Sequence, residues 1–317
     1  MSTLDTPSTP STPSTPPASG ATAVGPPVRM NAPRRKGRWN WLAVAFLVVV
    51  SVLWLFPLFW SVLSSLRDYQ YTSKNGYISF GGWTLQNYKN AWAQADFTTH
   101  FLNSVYVTVP AVLLTLFLAS MVAFVIARFS WRFNIVMLGL FTAANLLPQQ
   151  ALLIPLYRLA VNVPLPAWMS DSELLYDSYW VLILVNTAFQ TGFCTFVLSN
   201  YMKALPRELY EAAQVDGASI WKQYWTITMP LCRPALAALA TLEVTWIYNE
   251  FFWATVLLRS GDKFPVTSSL NNLRGQFFTD NNLVSAGSVI VAAPVVLIFF
   301  LLQKHFVAGL TLGANKG

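Results

Sequence analysis

Charged side chains are scarce in this chain: Lys, Arg, Asp and Glu make up 10% of its 317 residues, against 55% hydrophobic ones. A soluble globule of this size needs more charge to cover its surface, so a membrane protein is the default. Cysteine is scarcer still. Cys194 and Cys232 sit at different depths of apolar runs with no CxxC or His-rich neighbourhood, which argues against a disulfide and a thiolate metal site. Histidine is limited to His100 and His305, near the ends of apolar runs, where a polar residue at headgroup level accounts for them; a proton relay would need intramembrane partners. No Gly-Lys dipeptide occurs, so the GxxxxGK[ST] loop that cradles nucleotide phosphates is missing. There is also no nucleophile elbow, metal-ligand pair or acid pair in a defined cleft, which leaves little basis for a membrane-embedded enzyme.

What the chain does have is long uncharged apolar runs. A helix needs about 20 apolar residues to cross a hydrocarbon core, and such runs occur over Trp41–Trp60, Phe101–Ala127, Phe133–Tyr157, Ser178–Met202 and Asn281–Gln303. A sixth, Pro234–Leu258, is interrupted only by Glu243 and Glu250. The expectation is an all-α polytopic membrane protein with six transmembrane helices. The net charge of +7 is spread by side of the membrane and not gathered into a nucleic-acid-binding patch. With the N-terminus inside, Arg29, Arg34, Arg35, Lys36, Arg38, Arg128, Arg132, Lys203, Arg207, Lys222, Arg233, Lys304 and Lys316 fall on the cytoplasmic side. Arg67, Lys74, Lys89, Arg158, Arg259, Lys263 and Arg274 fall outside. This excess predicts both termini in the cytoplasm.

Residues 1–38 form a Ser/Thr/Pro-rich tail with a basic end, predicted to be disordered and cytoplasmic, with its basic end against anionic lipid. Residues 39–317 form the membrane domain: a first span over about 41–62, a core over about 97–303 and a C-terminal tail over 304–317. The first run is longer than a signal-peptide core and no small-residue cleavage site follows it, so it reads as an uncleaved span. Pro57, Pro110, Pro148, Pro155 and Pro294 lie within or beside spans, where proline bends or breaks a helix.

The most informative segment is the polar insertion over 206–230. Pro206 to Asp216 reads as a short amphipathic helix in which Leu209, Ala212, Ala213 and Asp216 recur near i, i+3, i+4 and i+7. The Ala pair leaves a smooth face for close approach to a partner, and Glu208 and Glu211 offer negative charge to a basic one. Gly217 supplies the permissive backbone that ends the helix, and Ser219 can cap a second helix from Ile220. Trp221, Tyr224 and Trp225 would anchor that helix at the membrane interface, and Pro230 and Pro234 redirect the chain into the next span.

Glu211-Ala-Ala, Gly217, Ile227 and Met229-Pro230, in that spacing, resemble the EAA loop of binding-protein-dependent ABC importer permeases, with Met229 where Leu is usual. Thr84–Tyr88, Asn103-Ser104, Ala127–Phe129, Leu153–Tyr157, Asn249–Trp253, Gln303, Phe306 and Gly309–Gly317 match in order and spacing, and are similar to the MalG-like subunit of the carbohydrate-uptake branch. The resemblance covers about 41–317. It implies the type I ABC importer permease fold in a prokaryotic cell membrane. It also implies a homologous second permease, two cytoplasmic ATPase subunits, an extracytoplasmic sugar-binding protein and a carbohydrate substrate. This chain then carries no cofactor, because ATP and Mg bind the ATPase subunits. By the same resemblance Glu208, Glu211, Ala212, Ala213, Asp216, Gly217, Ile227 and Pro230 form the ATPase-coupling loop. Tyr248 stands where the family commonly has Trp.

Asn145, Gln149, Gln150, Asn186, Gln190, Asn249 and Glu250 are polar residues within spans that suit a sugar path, with Trp246 as an aromatic face. Hydrogen bonding between helices explains such residues equally well. Glu243 and Glu250 are seven apart, hence on one face of a continuous helix. Pairing with the partner subunit, sugar recognition and proton coupling are the three roles open to them. The last would make an ion-gradient-driven secondary transporter the alternative function, although no internal repeat supports it.

Overall fold

The computed structural model describes residues 39–311 apart from Ser130, Leu147, Gln276 and Phe277, so the predicted tail over 1–38 and the last residues, 312–317, lie outside the described part. Fourteen α-helices are described: α1 Trp39–Ser65, α2 Tyr69–Asn75, α3 Gln86–Gln94, α4 Phe97–Arg128, α5 Arg132–Leu146, α6 Leu153–Asn162, α7 Tyr179–Lys203, α8 Glu208–Val215, α9 Ile220–Gln223, α10 Met229–Leu231, α11 Arg233–Tyr248, α12 Phe252–Leu257, α13 Val266–Ser269 and α14 Asn281–Thr311. α1, α4, α7 and α14 are each long and apolar enough to cross a membrane, and two bent helix pairs raise the number to as many as six.

By packing, the chain divides into a unit over Met1–Val52 and a unit over Leu53–Gly317. In the first, the described part of α1 is apolar all round, as a lipid-immersed helix is. In the second, α7 packs along α4, α5 and α11, while α14 packs on α11 and α3. The close fit of α4 has a sequence cause. Ala111, Thr115, Ala119 and Ala123 recur every fourth residue, hence on one face, and all four are fully buried. In a bilayer, where apolar surface alone does not drive helices together, such small residues let backbones approach and pack.

Two predicted spans are broken. The run Phe133–Tyr157 does not form one helix: α5 and the segment Gln149–Asn162 meet at 94°, with Pro148 at the corner. The run Pro234–Leu258 also divides. α11 stops at Tyr248 after 16 residues, about 24 Å at 1.5 Å per residue, and α12 restarts at Phe252. Glu243 and Glu250 therefore do not share one continuous helical face.

The connections before α4 and α7 are closed on themselves. Arg67 is buried, and its guanidinium donates to the Tyr77 carbonyl at 2.7 Å and to Ser79 Oγ at 2.7 Å. Asn87 Nδ2 donates to the carbonyls of Ser65 and Arg67, tying α3 to the end of α1. Before α7, the Asp177 carboxylate accepts from the backbone N–H groups of Arg259 at 2.8 Å and Ser260 at 2.9 Å and from the Ser260 hydroxyl at 2.6 Å. Burial pushes this carboxyl upward, but those hydrogen bonds and the nearby Lys263 charge outweigh it and hold Asp177 below the usual carboxylate range.

Candidate functional sites

Two regions gather the predicted functional residues. The first is the connection between α7 and α11. α8 carries Glu208 and Glu211 in its first turn, where carboxylates favour the positive end of the helix dipole. It ends in a Schellman arrangement: Gly217 has φ +75°, its N–H reaches the Gln214 carbonyl at 3.1 Å, and the Ala218 N–H reaches the Ala213 carbonyl at 2.8 Å. Ser219 Oγ accepts from the Lys222 N–H at 3.3 Å, so it caps α9. The chain then passes through a π-helical turn, Tyr224–Thr228, before Pro230 in α10.

The sequence named the partner-facing residues of α8 and left its inward side unassigned. Tyr210 is the residue that sinks inward, with Ala213 half-buried, while Leu209, Ala212 and Asp216 are exposed and Val215 is 89% exposed. The reason is local: the Tyr210 hydroxyl shares a 3.0 Å hydrogen bond with Thr228, and its ring packs on Phe124 and under the Arg128 guanidinium. Burial raises the Tyr210 hydroxyl above its ordinary value, against the lowering effects of Thr228 and Arg128. Tyr224 is not an interface anchor, because it is buried and paired with Ser120 Oγ at 2.8 Å. Trp221 and Trp225 remain exposed, and Ile227 packs partly buried against the same core. Glu208, Glu211, Ala212, Asp216, Gly217 and Pro230 thus lie on a surface left open, held from beneath by Tyr210.

The second region is a cavity of about 350 Å³ between the α5–α6 corner, α7 and the α11–α12 break. Gln149, Asn186, Gln190, Trp246 and Glu250 line it, so five of the predicted path residues converge. Asn145 and Asn249 do not join them. Asn145 packs over Gly192, where a Cβ would collide with its amide, and donates to the Phe141 carbonyl of its own helix. Asn249 is exposed and donates to the Thr245 carbonyl one turn back. Phe189 and Trp253, which the sequence reading did not single out as path residues, complete the wall and stack on each other with ring centres 5.7 Å apart. Trp253 is 1% exposed, and its indole N–H has no hydrogen-bond partner among the described residues. Such a buried donor costs free energy unless a ligand or water meets it. The signal available in the sequence was the Asn249–Trp253 segment itself, whose aromatic end is Trp253.

The two intramembrane carboxylates part company. Glu243 is fully buried inside this chain and accepts from Cys194 Sγ on α7 at 3.1 Å, so it does not face a partner subunit as the sequence allowed. Glu250 accepts from the N–H groups of Trp253 at 2.6 Å and Ala254 at 3.1 Å, occupying the open donors at the start of α12. The two do not form a carboxylate pair for an ion-coupled mechanism, and that alternative has no support.

A combination of side-chain amides, a carboxylate and aromatic faces is suited to polyhydroxylated ligands, since each hydroxyl needs a partner and sugar rings present an apolar face. The comparisons with known proteins agree with this architecture. The family model "Binding-protein-dependent transport system inner membrane component" matches residues 111–312. A probable ABC transporter permease protein of Pyrococcus horikoshii is 30% identical over 270 residues, covering 82% of this chain and 92% of the relative. The arabinooligosaccharides transport system permease protein AraQ of Halalkalibacterium halodurans is 29% identical over 282 residues, covering 88% and 97%. A chain in the crystal structure of a bacterial ABC transporter that imports the acidic polysaccharide alginate superposes with a TM-score of 0.68 at 22% identity, covering 84% of this chain and 96% of that one.

Proposed function

The chain belongs to the family of inner membrane components of binding-protein-dependent transport systems, and we propose that its cargo is a carbohydrate and that α8 couples it to ATP hydrolysis. It is a permease subunit and not an enzyme. In this reading it forms half of the translocation pathway with a homologous second permease, and an extracytoplasmic binding protein delivers the sugar. Two cytoplasmic ATPase subunits bind ATP and Mg, and both termini lie in the cytoplasm.

The observation that carries the coupling assignment is the open face of α8. An exposed face bearing Leu209, Ala212 and Val215, with Glu211 beside it, on a helix pinned by Tyr210 to α4 and the α9–α10 segment, is a rigid lever and not a loose loop. An ATPase that grips it differently in two states can bias the transmembrane helices between two arrangements. For the cargo, the support is the mixed polar and aromatic lining of the 350 Å³ cavity together with the name of the AraQ relative.

Gly217→Pro removes the N–H bonded to Gln214 and demands a φ near −65° where the turn needs +75°. It should leave the protein inserted while abolishing uptake and stimulation of the ATPase in proteoliposomes. Glu211→Lys should do the same through charge. Sugar uptake that persists in both variants would refute the coupling role.

A further inference from the structure

Where α4, α5, α8 and α9 approach one another, two cavities adjoin, of about 440 Å³ and about 670 Å³, and share Phe124, Ile126, Trp131 and Asn134 as walls. Their chemistry is opposite. The smaller is lined by apolar side chains such as Met121, Val125, Phe133, Met137 and Ile220. The larger is ringed by Arg128, Arg132, Lys203 and Arg207, with Glu211 as its one acidic residue. Among the described residues none of the four basic side chains forms an ion pair; Arg128 is half-buried over the Tyr210 ring, 5.0 Å from its centre, and the other three are exposed.

The cleft is built. Asn134 donates its amide both to the Ile126 carbonyl at 3.2 Å and to the Phe129 carbonyl, which ties the start of α5 to the end of α4. Trp131 and Trp221 stand exposed beside the apolar chamber, as indoles do at a bilayer's headgroup level.

We infer that this cleft binds one anionic phospholipid, with an acyl chain in the Met121–Met137 chamber and the headgroup phosphate among Arg128, Arg132, Lys203 and Arg207. A free phosphate would leave the apolar chamber empty, and a neutral lipid would leave four basic residues with only Glu211 against them. A bilayer anion satisfies both, because basic pockets between membrane helices recognise anionic headgroups. Under the orientation proposed above, the headgroup lies in the cytoplasmic leaflet; the lipid chemistry does not depend on that orientation. Because Glu211 and Arg207 lie in the same wall, the bound lipid touches the base of the α8 lever.

The test uses the complete transporter, stripped of lipid in detergent and offered phosphatidylglycerol or phosphatidylcholine carrying a photoactivatable acyl chain. Phosphatidylglycerol should label residues 121–137 and 220–224, and phosphatidylcholine should not. The double variant Arg132→Gln/Lys203→Gln removes two charges near the headgroup and should lower that labelling about thirtyfold. Met137→Trp keeps every charge but fills the chamber, and should abolish labelling within 121–137 while the complex melts at the wild-type temperature. Equal labelling by both lipids, or unchanged labelling in the charge variant, overturns the site. Loss of ATPase subunits from the charge variant with lipid labelling intact also overturns it, by assigning the basic ring to a protein contact. Membrane-impermeant thiol labelling of Lys203→Cys reads the side independently. Reaction from outside would overturn the proposed orientation and the leaflet, while the lipid selectivity would stand.

Discussion

Glu243 and Glu250 sit seven residues apart, yet they occupy opposite kinds of environment. Within α11, Glu243 is fully buried and meets one weak thiol donor, Cys194 of α7. At the end of the same segment, Glu250 lies beside a polar cavity and receives two backbone N–H groups from α12. The difference teaches that helix continuity, not spacing, decides whether i and i+7 share a face. The helix that carries Glu243 ends at Tyr248, and Glu250 is the middle one of the three non-helical residues before Phe252. The first then becomes an interior group held by packing, and the second a terminal cap beside the cavity.

Reversing the charge of the interior group should break the contrast most severely. Glu243→Lys places an ammonium at a fully buried position whose hydrogen bond among the described residues is to the Cys194 thiol. An uncompensated buried charge costs several kcal/mol, so the permease should fail to accumulate in membranes, as read by quantitative immunoblot. Normal accumulation would mean that the site is wet.

Removing the cap should act more mildly. Glu250→Ala leaves the Trp253 and Ala254 N–H groups without an acceptor. The loss of about 1 kcal/mol should lower the melting temperature slightly, while uptake should fall much further because the cavity wall loses its carboxylate. Glu250→Asp shortens the cap and should give an intermediate uptake rate; wild-type uptake in both variants would detach Glu250 from the pathway.

Cys194→Ala deletes the one hydrogen bond that Glu243 receives among the described residues. The cost should be about 1–2 kcal/mol in detergent melts, with Cys194→Ser close to neutral. Equal stability of the alanine variant would show that the thiol contributes nothing to holding the carboxyl. Smallest of all, Asn249→Ala loses only a bond to its own helix at an exposed position. Its stability should stay within about 0.5 kcal/mol of wild type, which a melt resolves from the Glu250 effect.

Legibility of these features in the sequence tracks their range. Apolar run lengths marked out the candidate spans because a bilayer imposes a minimum length on any crossing helix. The end of α8 at Gly217 and the cap at Ser219 were legible too, since both depend on residues within four positions. The corner at Pro148 was visible as a proline but not as a 94° turn. The buried identity of Tyr210 was not legible, because Leu209 fits the amphipathic repeat equally well and only Thr228, Phe124 and Arg128 select its neighbour. Nor was the restart at Phe252, which no Gly or Pro announces.

Composition and run length were thus enough to identify a polytopic membrane protein with a polar insertion between spans, because these signals arise from local geometry and from the bilayer as solvent; the permease family came from the resemblance of the motifs around Glu211. Which polar residues line the 350 Å³ cavity depended on helix packing. So did the burial of Glu243 against Cys194 and the convergence of Arg128, Arg132, Lys203 and Arg207 on one cleft. Those residues come from chain positions tens of residues apart, and what each side chain meets is set by how helices cross and where they break.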